Sequence, residues 1–281
     1  MWTRSDLKQR AKNQMKGRYW NYLGASLMPQ LASYVISIPL SVASQIAVIP
    51  SMLGSGMMTR NFSFYEELDR MSLYGDFDIN ILLEFYRQIL TAMIIPLVIV
   101  SLLSILTTLF IIQPVTVGMN RWFIRSREDR NISLSMCFSV FKKGSYLKTV
   151  GAMAYSMFFL FLWSLLLYIP AIIKSYAYRM IPYIIADNPG IGAKRALKLS
   201  CRMTKGHKFE IFILDVSFIG WYILGVLACC IGTYAVVPYQ LATNAELYDE
   251  LKRDAVAKSL CTMEELGYIR VASETIAPYN A

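Results

Sequence analysis

KSYAYRMIPYIIADNPGIGAKRALKLSCRMTKGHK, residues 174–208, leaves apolar sequence and becomes a cationic helix across a single break. Lys174 and Arg179 lie in its apolar part. The break is Asp187-Asn188-Pro189-Gly190. Asp187 or Asn188 is expected to cap the next helix with a side-chain oxygen. Pro189 suits the first turn, where its missing donor costs nothing. Gly206 suits the left-handed residue that ends it. The helix is therefore placed at about residues 189–205. At 100° per residue, Lys194, Arg195, Lys198, Arg202 and Lys205 fall within an arc of about 100°. Ala193, Ala196, Leu197, Ser200, Met203 and Thr204 fall opposite. One cationic face and one small or apolar face is the pattern of a helix lying on an anionic membrane surface.

The sequence on either side sets the fold class. Residues 22–50, 88–120, 150–173 and 216–245 carry no charge. Each run exceeds the roughly 18 residues that mark a spanning helix. None alternates as barrel strands do. The expectation is an all-α, polytopic transmembrane bundle with surface helices of amphipathic character.

Charge placement orients it. The net charge of +9 invites a nucleic-acid reading, but its distribution argues against one. Residues 1–19, 121–148 and 187–208 each net +5 beside an apolar run, while 51–87 net −3. That is the positive-inside asymmetry, with the basic blocks cytoplasmic. It also bears on the number of crossings, where one long, Pro-kinked helix over 150–186 is the rival to two spans. If 150–186 crossed once, two basic blocks would lie on opposite sides. A split at Ile169-Pro170 returns the chain to the cytoplasm. The later apolar stretch, about 209–248, is too long for one crossing and is split near Gly232. Six spans result, at about 22–49, 88–112, 150–168, 171–186, 209–229 and 231–248, with both termini cytoplasmic. Residues 1–248 are expected to form one membrane domain, and 249–281 a cytoplasmic tail that is soluble or loosely ordered.

Two further surface helices are expected. Thr3-Arg4-Ser5-Asp6 has the form of a capping box. It opens a helix over about 4–17 with Leu7, Ala11 and Met15 on one stripe. Such a helix fits either the headgroup layer or water. Leu134, Cys137, Phe138 and Phe141 follow the i, i+3, i+4, i+7 rule of a helix over about 133–143. Gly144 is its stop. The external segment 51–87, aromatic and acidic, is the place for a surface partner. The five cysteines show no metal-ligand spacing and are read as small hydrophobes.

Chemistry is sparse. No Walker loop, zincin motif, nucleophile elbow or dinucleotide fingerprint is present, and no cofactor is expected. The one histidine, His207, sits beside a helix stop and reads as a capping or headgroup-facing residue. Intramembrane charges carry more information, because an isolated one costs about 2.5 kcal/mol or more at mid-helix. Lys174, Arg179, Glu210 and Asp215 are the candidates for a polar intramembrane site. Arg179 on the fourth span and Asp215 on the fifth lie at nearly equal depth, so a pair between them is expected, with Glu210 the fallback. The pattern points to a non-enzymatic membrane component that binds lipid, through anionic headgroups, or a membrane protein partner. A transporter or channel subunit and an intramembrane lipid-modifying enzyme are the alternatives.

Several motifs resemble a bacterial integral-membrane domain-of-unknown-function family. They are Trp2-Thr3-Arg4 with Leu7-Lys8 and Ala11-Lys12, Ile172 to Tyr178, Tyr183 to Pro189, Ala196 to Ser200, Lys205-Gly206-His207-Lys208, Ser217 to Trp221, and Val237-Pro238-Tyr239. The resemblance covers nearly the whole chain. Ala171 departs from it, where Gly is expected after the Pro. The resemblance implies a bacterial cytoplasmic-membrane protein and carries no assigned activity. A looser likeness in layout, to the membrane domain attached to some glycerophosphodiester phosphodiesterases, hints at a lipid-facing role.

Overall fold

Thr3 starts the first helix as its sequence requires. Its side chain accepts from the backbone N–H of Asp6, and its hydroxyl donates to the Asp6 carboxylate at 2.7 Å. Helix α1 follows, Arg4–Met15, with Leu7, Ala11 and Met15 buried. The computed structural model describes residues 2–54, 66, 69, 79–142, 144–228, 231–270 and 276–278. Those residues are helical almost throughout, apart from a three-residue strand pair, Tyr268–Arg270 with Ile276–Pro278. Among them, four helices are long and apolar enough to cross a membrane: Tyr19–Ala43, Ile94–Arg125, Tyr146–Leu166 and Lys208–Leu227.

The chain divides into two units, residues 33–108 and the remainder, 1–32 with 109–281. The smaller unit holds most of α2 (Tyr19–Gly54) and α3 (Ile79–Thr107). No described side chain in it is buried. Helix α3 begins nine residues before the expected 88. The proposed partner segment 51–87 lies mostly outside the described residues.

The larger unit holds the core. Its centre is α4 (Gln113–Arg125), joined to α3 by a π turn, Thr108–Ile112. Of the two outcomes open at Gln113-Pro114, a helix end or a bend in a helix that continues, the second holds, and the run reaches Arg125. Pro114 has no N–H to donate, and the wider turn just before it accommodates that gap. Trp122, Phe123 and Tyr22 pack edge-on at the middle, with ring centroids 5.0–5.4 Å apart.

Against α4 lies a 3-10 helix, Leu134–Phe141, where an α-helix was expected. With three residues per turn the period shifts. Cys137 and Val140 turn inward, while Phe138 and Phe141 are exposed. The expected apolar stripe is therefore corrected: Phe138 and Phe141 do not share the inward face of Cys137. Gly118 permits this contact, since a Cβ there would lie 1.8 Å from the carbonyl oxygen of Cys137.

Two helical hairpins complete the unit. The first is α5 (Tyr146–Leu166) and α6 (Tyr168–Tyr178), broken by extended backbone at Leu167. The break falls two residues before the expected site, because Pro170 is tolerated in the first turn of α6. The fold-back is real: Lys174 Nζ lies 4.6 Å from the Trp163 ring. The expected fourth span is two pieces, α6 and α7 (Ile181–Asp187). Pro182 in the first turn of α7 cannot donate to the carbonyl of residue 178, so the helix breaks at Arg179-Met180. The second hairpin is α9 (Lys208–Leu227) and α10 (Ile231–Ala257). Gly225 and Gly232 meet at its turn, where a Cβ on Gly225 would lie 2.7 Å from the Thr233 nitrogen.

Between the hairpins runs α8 (Ala193–Met203). The expectation that Asp187-Asn188-Pro189 starts it is corrected. Asn188 ends α7, its Oδ1 accepts from the Gly190 N–H at 2.8 Å, and α8 begins at Ala193, behind Gly192. The asparagine closes a turn on its own backbone, a geometry that competes with capping. Gly206 is left-handed, φ +91°, as the helix stop requires.

The tail is corrected too. Helix α10 continues past 248 to Ala257, with Leu251 and Ala255 buried, and Leu266 returns to the same core. Residues 249–257 alternate acids and bases with core-facing apolar positions, which is a helix pattern rather than a loose one.

Candidate functional site

The polar candidates separate into three places. Arg179, at the break between α6 and α7, grips Asp215 of α9 through both guanidinium nitrogens. The Nη2–Oδ1 distance is 2.7 Å, and Nη2 also donates to Asn244 Oδ1 at 3.0 Å. The break frees Arg179 to turn toward the second hairpin, which a straight helix would not do. A planar guanidinium on a carboxylate, with a third acceptor, is a closed and well-oriented arrangement. Lys174 is elsewhere, over Trp163. Glu210 meets His207 Nδ1 at 3.0 Å, within its own helix start. The four residues are therefore no single site, because Lys174 and Glu210 have other partners than the Arg179–Asp215 pair. Asn244, the third member of the cluster, lies in apolar sequence and gave no charge signal.

A second polar layer lies along α10. Arg127 reaches Glu246 at 2.8 Å and Asp249 at 2.7 Å. Gln14 of α1 also donates to Glu246. Lys252 and the Tyr248 hydroxyl both meet Asp187, at 2.6 and 2.9 Å. Arg10 pairs with Glu250. Arg121 donates to the Ala186 carbonyl at 2.7 Å and to Ser139 Oγ. Burial alone would push Asp249 up. The hydrogen bond and charge of Arg127, with Arg253 and Lys252 behind it, outweigh that and hold the carboxyl below its ordinary value. Burial likewise opposes the Arg127 charge, yet Asp249 and Glu246 keep its pKa above the usual value.

These pairs explain the basic blocks in part. One cation or more from each block, Arg10, Arg127 and Arg195, is engaged by a carboxylate of the C-terminal third. Arg195 pairs with Glu265 at 2.8 Å. Its hydrogen bond is the largest influence on Glu265 and holds that carboxyl below its ordinary value. The sequence signal for this layer is the acid spacing 246, 249, 250, on consecutive turns of one helix.

The rest of the basic face of α8 is different. Lys194, Lys198, Arg202 and Lys205 are exposed. None makes an ion pair among the described residues. Opposite them Ala196, Leu199 and Met203 are buried in the protein. The apolar face thus closes on the core and is not available to a bilayer. Only the cationic face points outward. Among the described residues, no group of three or more His, Cys, Asp or Glu side chains could hold a metal ion.

A family model for a protein of unknown function, DUF975, matches residues 1–255, and the chain belongs to that family. The motif resemblance noted in the sequence therefore holds. No curated protein and no solved structure matches the chain.

Proposed function

We propose that this protein is a non-enzymatic component of the bacterial cytoplasmic membrane that binds anionic lipid, or a membrane protein partner, through its cytoplasmic side. In this reading both hairpins cross, with α2 and the α3–α4 run, to give six spans and two cytoplasmic termini. The short fourth crossing, α6 with α7, descends shielded by α5, α8 and α9. The observation that carries the reading is the outward row Lys194, Lys198 and Arg202 on α8 with Lys205 just past its end, without an ion pair among the described residues beside Arg195, which has one. Four exposed cations held on one rigid face suit an anionic headgroup layer, where each contributes on the order of 1 kcal/mol. The transport alternative is less well supported, since Arg179 and Asp215 engage each other rather than standing open to a translocated ion.

The test is side-specific labelling of Lys198→Cys in a cysteine-free background. Labelling only after the cytoplasmic face is opened is expected. Reaction with an impermeant reagent from outside would reject the orientation.

A further inference from the structure

A groove of about 700 Å³ lies between the end of α1 and the α9–α10 hairpin. Its size falls within the roughly 300–1,000 Å³ of small-molecule sites. The walls include Met15, Trp221, Leu224, Ala235 and Val236, and its far end is the Gly225–Gly232 contact. Lys12 and Lys16 line it as well. So the groove is apolar along its length and cationic at one end.

Those two lysines line the groove, and they differ from three neighbouring cations of their segment, Lys8, Arg10 and Arg18. Lys8 donates to the Ser217 carbonyl at 3.1 Å and covers the Phe218 ring at 4.4 Å. Arg10 is held by Glu250. Arg18 donates to the carbonyls of Ser126 and Arg130 at 3.1 and 2.9 Å. Lys12 and Lys16 are exposed and meet no carboxylate among the described residues. Lys12 Nζ instead sits 5.6 Å from the Tyr239 ring and 6.0 Å from the Trp221 ring. Lysine beside Trp and Tyr is the chemistry of the membrane interface. Two like charges four residues apart repel, and an anion between them relieves that repulsion. Beyond them, Leu224, Ile223 and Leu227 of α9 are exposed and apolar, so the groove opens on a surface suited to acyl chains.

We infer that this groove binds one anionic glycerophospholipid, its phosphate between Lys12 and Lys16 and an acyl chain along Trp221, Leu224 and Val236. This rests on the lipid-binding reading above and moves it to a defined site away from α8. An apolar chain fixes depth, and the two ammonium groups select the charge. A neutral lipid or a partner helix would satisfy the walls and leave the lysines unmatched.

The experiment uses the full chain, delipidated in a neutral detergent and titrated with phosphatidylglycerol or phosphatidylcholine. Binding is read by native mass spectrometry and by the shift in Tm. Phosphatidylglycerol is expected to bind and stabilise, and phosphatidylcholine to do so at least about tenfold more weakly. Lys12→Gln/Lys16→Gln should remove that preference without changing the lipid-free Tm. Phosphatidylglycerol with brominated chains should quench the part of the emission that Trp221→Phe removes. Ala235→Phe should block the chain and abolish the quenching. Equal binding of the two lipids, or a preference that survives the double variant, overturns the groove. If Gln at 194, 198, 202 and 205 removes the preference and Lys12→Gln/Lys16→Gln does not, the groove fails and the lipid-binding reading stands. If the unaltered chain binds neither lipid, both fail.

Discussion

Residues 94–112 and residues 113–125 follow one another in a single helical run, and they are treated oppositely. The first part carries no charge, and most of its side chains are exposed. Leu97 is 65% exposed. The second part carries Asn120, Arg121 and Arg125, and most of it is buried. In water the more apolar part would be the one inside. The inversion is compatible with a hydrocarbon solvent outside, and four helices are long and apolar enough to cross one. A hydrocarbon solvent gives no reward for burying Leu against Leu, so helices touching it need only stay apolar. The polar part must be enclosed, because its hydrogen bonds need partners. Helix α5 repeats the contrast along its own length. Thr149, Val150, Ala152, Met153 and Ser156 are buried, while Phe161 and Leu165 are 63% and 77% exposed.

The comparison breaks most completely at Gly118. The enclosed part of the run touches the 3-10 helix backbone to backbone. Gly118→Val must therefore push the two elements apart, and the loss should exceed the roughly 1–3 kcal/mol of ordinary overpacking. The expected outcome is loss of monodisperse protein in detergent. Gly151→Ala, where an added Cβ meets nothing within 4 Å, should leave thermal unfolding unchanged. Wild-type behaviour of Gly118→Val would mean that the two backbones are not in contact.

The next effect belongs to Arg179. Either Arg179→Met or Asp215→Leu leaves the other charge enclosed, at a cost of roughly 3–5 kcal/mol where water is excluded. Both side chains are about a fifth exposed, so the lower end is expected. Together the substitutions should cost less than the sum of the two, because neither then strands a charge. A thermal-unfolding double-mutant cycle measures this. Additive losses would mean that the bidentate contact contributes nothing.

How much of this was legible follows from what each residue needs. The hairpin breaks were readable, since charge-free runs of known length cannot hide and Pro170 and Gly232 mark where they turn. The Arg179–Asp215 pair was readable from depth alone, as two opposite charges in apolar sequence have few other partners. The caps of α1 and the stop at Gly206 were local and came through intact. What failed was long-range. Asp187 looked like a cap because Asx-Pro-Gly resembles one, but Lys252 and Tyr248, more than sixty residues away, claim its carboxylate. The 3-10 element 134–141 packs against Gly118, in a different helix, and local periodicity cannot register that contact. The apolar face of α8 looked like a lipid face because a helical periodicity cannot say whether protein or bilayer covers it. Glu246 was placed at the end of the sixth span and Asp249 and Glu250 in the tail, though the basic blocks at 1–19 and 121–148 had need of partners.

The smallest effect sharpens the comparison most, because it separates two solvents rather than two packings. Leu102 lies on the exposed part of the run and is 56% exposed; Ile124 lies on the enclosed part and is 4% exposed. Truncating Ile124 to Ala removes contacts that neighbours cannot replace, at roughly 2–5 kcal/mol. Truncating Leu102 to Ala removes contacts mainly with solvent, so its cost in detergent should stay within about 0.5 kcal/mol. Equal losses would show that 94–112 is packed against protein, and the inversion would disappear. A small loss alone fits water as well as lipid. A spin label at Leu102→Cys in reconstituted vesicles resolves that point. Hydrocarbon concentrates oxygen and excludes a water-soluble nickel chelate, so relaxation by oxygen should dominate. Relaxation mainly by the nickel reagent would place water on this face, and a long, exposed, uncharged helix would then have no physical reason to remain unaggregated.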